Sequence, residues 1–192
     1  DHSINYLWGT VGLGYNPDLV KKAIGTDTID SWSALLDPAI ASKLGKCGIA
    51  ILDAPTDVFG SAAIYRNLDP NSEQPEDLKV VEDTLMKIRP YVRYFHSSQY
   101  INDLASGEIC LALGWSGDVL QARDRGAAAA KPVHVKYAIP KEGAINFFDM
   151  LAIPADAPHP DNAHAFLNYL MEPEVIAKVT NKVRFANGNI AS

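Results

Sequence analysis

The sequence predicts an α/β fold, and three observations carry that reading. Short apolar runs alternate with longer segments that have one polar face. Runs such as GIAIL (48–52) and ICLALG (109–114) are apolar at successive positions, the pattern of strands covered on both faces and common in parallel sheets. Proline, glycine and asparagine fall at the joins, where helices begin and end. With 192 residues, 47% of them hydrophobic and 21% charged, the chain is long enough for one domain or one plus part of a second.

The elements follow in order. A strand over Thr10–Tyr15 leads into a helix over Pro17–Ile24, with Asn16 as cap, Pro17 at the first helical position and Gly25 beyond the end. Gly48–Leu52 is the next strand, and helices over Thr56–Arg66 and Pro75–Ile88 follow it. Val92–Phe95 reads as a strand. Ser97 caps a helix running to Ala105, which Gly107 closes. The apolar run Ile109–Gly114 is a strand that passes into a helix over Ser116–Ala128. Strands over Val133–Ile139 and Asn146–Ile153 come next, then helices over Asp161–Met171 and Glu174–Thr180. The closing phrase VRFANGNIAS has no evident strand partner, so the chain reads as an internal piece of something larger. The opening DHSINYLWGT lacks the basic start and apolar run of a signal peptide.

Composition removes several classes of function. A net charge of −6, with KIRPYVR at 87–93 the single compact basic run, argues against nucleic-acid binding, which depends on clustered cations. No stretch approaches the roughly 18–20 uncharged apolar residues of a membrane span, so no membrane insertion is expected. Cys47 and Cys110 are too far apart for a CxxC pair or a zinc knuckle. They are either two buried thiols or one disulfide. The histidines His2, His96, His134, His159 and His164 are scattered, with no i, i+4 pair on one helix, so no metal is expected. Gly9, Gly12 and Gly14 precede a strand that ends in tyrosine rather than open a helix. With no phosphate-binding glycine loop there, no cofactor is expected.

Ligands in this architecture lie at the carboxyl ends of strands. Three such junctions each combine an aromatic residue with a carboxylate: Phe59 with Asp57, Trp115 with Asp118, and Phe147 with Asp149. A carboxylate gives an ammonium group a charge-assisted hydrogen bond. An aromatic face adds cation–π attraction and covers methylene groups. The combination suits an organic cation. Asp57 and Asp118 also fit as first-turn acids favoured by the helix dipole, whereas Asp149 interrupts an apolar strand and needs a partner. GWSGD at 114–118 sits where a hydrolase would place its nucleophile, Ser116, with His134, His159 and His164 downstream. It lacks the second glycine of G-x-S-x-G, and HPDNAH reads as an exposed turn.

The segments WGTVGLGYN, DSW, CGIAILDAPTDVF, FHSSQYINDL, GEICLALGWSGDV, IPKEGAINFFDMLAIPADA and AFLNYLMEPEV, in this order, resemble the polyamine-binding periplasmic receptors of ABC importers. The resemblance covers essentially the whole chain. It implies a type II periplasmic binding-protein fold, in which two α/β lobes close over the ligand. By that analogy residues 10–146 form the second lobe, and residues 1–9 and 147–192 are hinge and part of the first.

The ligand-binding positions it implies are Asp57, Ser97, Trp115, Asp118, Phe147, Asp149 and Phe185. Phe185 stands where the family has a tyrosine, and Asp57 where it often has glutamate. The resemblance also implies a Cys47–Cys110 disulfide, a periplasmic location, capture of putrescine or spermidine, delivery to permease subunits, and no catalytic residue. The other readings are a receptor for a different organic cation or amino-acid derivative, such as an opine, and a serine hydrolase using Ser116.

Overall fold

The structure is a computed structural model and describes residues 3–192, so His2 lies outside it. The backbone divides into a larger unit, Thr10–Ile145, and a smaller one made of the segment up to Gly9 together with Asn146–Ser192. Strand β1 (Ile4–Tyr15) begins earlier than its apolar core predicts, and its residues from Thr10 onward belong to the larger unit.

In the larger unit, α1 (Pro17–Ile24) has the expected ends. The Asn16 side chain accepts from the Asp18 and Leu19 amides at 3.0 Å each, and Gly25 turns left-handed at φ 84°. Two helices that the patterning does not announce follow, α2 (Ser33–Leu36) and α3 (Pro38–Leu44). The first is a single turn without a side-chain cap. The second starts like α1: Asp37 Oδ1 accepts from the Ala39 amide at 2.8 Å, and proline takes the first helical position.

Then come β2 (Ile49–Ile51), α4 (Pro55–Tyr65), α5 (Pro75–Ile88), a 3-10 turn (Arg89–Tyr91), β3 (Val92–Phe95), α6 (Gln99–Ser106), β4 (Leu111–Trp115), α7 (Ser116–Ala127) and β5 (Lys136–Ala138). The sheet order is β3-β2-β4-β1-β5. Strand β2 runs parallel to β3 and β4, while β1 is antiparallel to β4 and β5. The sheet is therefore mixed. An apolar run reports that both faces of a strand are covered; it carries no information on strand direction. Ile49, Ala50, Leu111, Ala112, Val11 and Leu13 are all fully buried.

Helix α6 starts later than expected and Ser97 is not its cap. The ring of His96 takes that role: its Nδ1 accepts from the Ser98 and Gln99 amides, both at 3.1 Å. Gly107 ends the helix at φ 80°.

Gly12 and Gly14 of WGTVGLGY make room for packing. Gly12 and Gly114 are register partners across β1 and β4. A Cβ on Gly12 would come within 2.5 Å of Tyr137 Oη, and one on Gly114 within 2.6 Å of Tyr100 Cε2. Directly opposed residues of an antiparallel pair share a face. Both tyrosine rings therefore lie in a slot that the two glycines open. Gly114→Ala is expected to push the Tyr100 ring aside and cost about 1–3 kcal/mol, the usual penalty of overpacking. Urea unfolding of the variant checks this, and an unchanged midpoint would refute the slot.

Cys47 and Cys110 form a disulfide with Cα atoms 5.5 Å apart, so the two-thiol reading is overturned. Cys47 precedes β2 and Cys110 precedes β4, and the Cys110 amide donates to the Gly48 carbonyl at 3.0 Å. The crosslink thus joins two neighbouring parallel strands at their amino ends. Elsewhere the DSW segment pins the IPKEGA loop. Glu142 Oε1 accepts from Ser31 Oγ at 2.5 Å, the Lys141 amide donates to the Asp30 carbonyl at 2.8 Å, and Trp32 Nε1 donates to the Gly143 carbonyl at 2.8 Å.

In the smaller unit, β6 (Asn146–Leu151) pairs with β1, and helices α8 (Pro160–Leu170) and α9 (Pro173–Val183) follow. The closing phrase does find a strand partner: the Trp8 amide donates to the Ala186 carbonyl at 2.8 Å, and the Ala186 amide returns the bond at 3.2 Å. Among the described residues, no helix is long and apolar enough to cross a membrane.

Candidate functional site

The larger unit gathers side chains at the carboxyl ends of β2 and β4. Pro55 opens α4 a short loop after β2, and that places Asp57 in the first helical turn. Trp115 is the last residue of β4 and the cap position of α7, so Asp118 falls in the first turn of α7. The two acids are linked through neutral donors. Trp115 Nε1 donates to Asp57 Oδ2 at 2.9 Å. The Trp115 amide donates to Tyr100 Oη at 3.2 Å, and Tyr100 donates its own proton to Asp118 Oδ2 at 2.9 Å. Gln121 Nε2 reaches Asp118 Oδ1 at 3.4 Å.

Burial pushes the Asp118 carboxyl above its usual range, against the lowering effects of the Tyr100 hydrogen bond and the Arg125 charge. Burial, helped by the Asp118 charge, holds the Tyr100 phenol well above its ordinary value, so it stays a proton donor. The neighbouring Tyr137 phenol, whose hydroxyl meets Thr10 Oγ1 at 2.7 Å, is pushed up to about 12 by burial.

One expectation changes here. The aromatic partner of Asp57 is Trp115, not Phe59. Side chains two apart on a helix point to different faces, and Phe59 lines a separate apolar cavity of about 230 Å³ with Phe95, Met86 and Val58. Ser97 is not part of the Asp57–Trp115–Tyr100–Asp118 chain of bonds; its hydroxyl donates to the Asp53 carbonyl at 3.1 Å. Ser116 Oγ accepts the Thr10 amide at 3.2 Å. The histidines with hydrogen bonds are engaged elsewhere, His96 on α6 and His134 against Asp18 at 3.3 Å.

In the smaller unit Phe147 and Asp149 share one face of β6, since alternate residues of a strand point the same way. Arg184 ends α9 in the left-handed region at φ 65°, and the chain turns there to bring Phe185 against Phe147, ring edge to face at 5.9 Å. Phe148, on the opposite face, stacks on Trp8 at 6.4 Å. Asp149 is exposed, not buried: β6 is only partly covered, so its carboxylate needs no internal partner. Among the described residues, none of Asp57, Asp118 and Asp149 is held in an ion pair; the six that occur involve other acids.

Tyr100 and Gln121 are the members of this network that sequence reasoning passes over. The available signal was Tyr100 in the first turn of α6, opposite a glycine-bearing strand.

The sequence pattern of the bacterial extracellular solute-binding proteins matches residues 2–189. The putrescine-binding periplasmic protein SpuD of Pseudomonas aeruginosa is 51% identical over 193 residues, covering 100% of this chain and 53% of that protein. The putrescine-binding periplasmic protein PotF of Escherichia coli is 50% identical over 189 residues, covering 97% of this chain and 51% of that protein. The fold is shared with the crystal structure of the spermidine/putrescine ABC transporter substrate-binding protein PotD of Streptococcus pneumoniae. That match has a TM-score of 0.78 at 23% identity and covers 98% of this chain and 54% of that one. The chain spans about half the length of these relatives. With its pattern matched almost end to end and its mixed α/β sheet shared, the chain belongs to the bacterial extracellular solute-binding proteins.

Proposed function

We propose that this chain captures protonated polyamines, such as putrescine or spermidine, in the periplasm, as part of the solute-binding component of an ABC importer that passes its ligand to permease subunits. The observation that carries the reading is the pair of carboxylates oriented by neutral hydrogen-bond donors alone, Asp57 by the Trp115 indole and Asp118 by Tyr100, whose hydroxyl also takes the Trp115 amide. An acid already paired with arginine or lysine has its charge matched; these acids retain a net charge for an incoming ammonium. The Trp115 ring supplies a flat apolar surface beside them.

Phe147, Phe185 and Asp149 of the smaller unit repeat the aromatic and carboxylate chemistry, and Ser97 adds a hydroxyl near Asp53. The residues assigned to the ligand are therefore Asp57, Ser97, Trp115, Asp118, Phe147, Asp149 and Phe185. Residues 10–146 correspond to the second lobe of such a receptor, and residues 1–9 and 147–192 to hinge and part of the first. The similarity to the putrescine-binding proteins SpuD and PotF supports the ligand class.

Capture of this kind makes and breaks no bond. Ser116 has its oxygen committed to the Thr10 amide, which supports a structural role for that hydroxyl.

Calorimetric titration of the chain with putrescine, spermidine, butane-1,4-diol and an opine tests the reading. Binding is expected for the two amines, weakening with added salt because the contacts are between charges. No binding is expected for the diol, which has the length of putrescine without its charge. Equal binding of diol and diamine, or binding of the opine alone, would overturn the assignment.

A further inference from the structure

Tyr100 touches both functional ends of β4 and α7 while lying wholly inside the protein. It is completely buried, and its single hydroxyl serves two partners at once, accepting from the Trp115 amide at 3.2 Å and donating to Asp118 Oδ2 at 2.9 Å. The ring is seated by Gly114, where any side chain would collide with it, and so it has no freedom to withdraw the hydroxyl. One bond anchors the residue that carries the indole, and the other aims the acid at the start of α7.

We propose that Tyr100 is a positioning residue of the ligand site, holding the Trp115 backbone and the Asp118 carboxylate in one fixed relation and keeping that carboxylate available as an anion. The ligand half of this statement rests on the polyamine reading above; the positioning half does not.

A buried carboxylate with no cation paired to it tends to take up a proton. The groups that face Asp118 are Tyr100 from α6, Gln121 and Arg125 from its own helix, and, beyond Tyr100, Tyr137 from β5. Asp103, the other acid of α6, is engaged with Tyr94 at 2.6 Å. Arg125 is itself drawn to Asn102 at 2.7 Å. Of these groups, Tyr100 is the one that donates a short hydrogen bond directly to the anion, and hydrogen bonds to the charged form favour that form. Removing the hydroxyl therefore moves Asp118 further toward the protonated state.

The test is an NMR titration of the Asp118 carboxyl carbon in the chain and in Tyr100→Phe, together with putrescine titrations at several pH values. In Tyr100→Phe, Asp118 is expected to titrate at higher pH. Putrescine affinity is expected to fall about tenfold near neutrality, the effect of one hydrogen bond to a charged group. The loss should widen as the pH drops. In an Asp118→Asn background the same change is expected to have little further effect. A purely structural tyrosine would leave the Asp118 titration where it was, and that result overturns the proposal. A moved titration with unchanged putrescine affinity overturns its ligand half.

If the wild-type chain binds no putrescine, the polyamine reading fails, while the Asp118 titration still decides the role of Tyr100. Should Tyr100→Phe not fold, the wild-type chain supplies the readout. The Trp115 amide resonance is expected to follow the Asp118 titration through the shared hydroxyl, and an amide insensitive to that titration refutes the coupling.

Discussion

Replacing Cys47 and Cys110 together by alanine is expected to lower the unfolding free energy by roughly 4 kcal/mol, the chain-entropy value for a crosslink closing a loop of this length. The bond spans 63 positions and ties β2 to β4 at their amino ends, inside a part of the sheet where Cys110, Ile49 and Leu111 are fully buried. Alanine is the better replacement because serine would add a buried hydroxyl at position 110. Trp115 and Asp57, assigned to the proposed ligand site, lie at the opposite, carboxyl ends of the same strands. The Trp115–Asp57 hydrogen bond should therefore survive in the folded fraction. Urea unfolding of the chain, of the chain with reductant, and of the double variant checks the prediction. The second and third should agree and lie well below the first. Coincident midpoints for all three would show that the disulfide adds nothing to stability.

Asp118→Asn is expected to pull binding and stability in opposite directions. On the proposed polyamine reading, losing the carboxylate removes a charge partner of the ligand's ammonium, which typically costs about 2–5 kcal/mol of affinity. Calorimetry with putrescine reads that loss. The stability effect follows from the direction of the Asp118 shift. Burial raises its folded-state pKa above the unfolded value. Between those two values the folded chain holds more protons than the unfolded one, so stability falls as pH rises through that window. At neutral pH the ionised carboxylate is thus a net cost to the fold.

Asparagine keeps an oxygen for the Tyr100 hydroxyl and carries no charge. Its melting temperature at neutral pH should exceed that of the wild type, and the difference should shrink as the wild-type acid becomes protonated at lower pH. The same protonation should weaken putrescine binding to the wild type at a pH above the ordinary carboxylate range. A variant with wild-type affinity, or one less stable at pH 7, would remove Asp118 from the role assigned to it. Sites that hold uncompensated charge for a ligand commonly trade stability for function in this way.

Much of the fold is legible before any coordinates, because local chemistry acts within a few residues. Asn16 before Pro17 and Gly25 after Ile24 mark α1 at both ends through backbone hydrogen bonds and a left-handed turn. The apolar runs around Ile49 and Leu111 mark buried strands. Helices α2 and α3 escape such reading because the first is one turn long and too short to show a period. Asp37 before Pro38 repeats the Asn16 signal, yet seven residues give that signal little to confirm it. Ser97 is a residue type suited to cap α6, but the acceptor that closes the geometry is the ring nitrogen of His96.

Residue types and their order along the chain thus suffice for the α/β class, most element positions, and the acids and rings suited to an organic cation. They also carry the resemblance that implied the Cys47–Cys110 pairing. The direction of β1 is not written there, since burial on two faces looks the same in a parallel or an antiparallel strand. Nor is the pairing of Asp57 with Trp115 in place of Phe59, the exposure of Asp149, or the hold of Tyr100 on Asp118. Each of these depends on side chains from separate elements meeting after the helices have packed on the sheet. Distances of 2.9 Å between residues 18 and 58 positions apart arise from that packing, not from anything local to either residue.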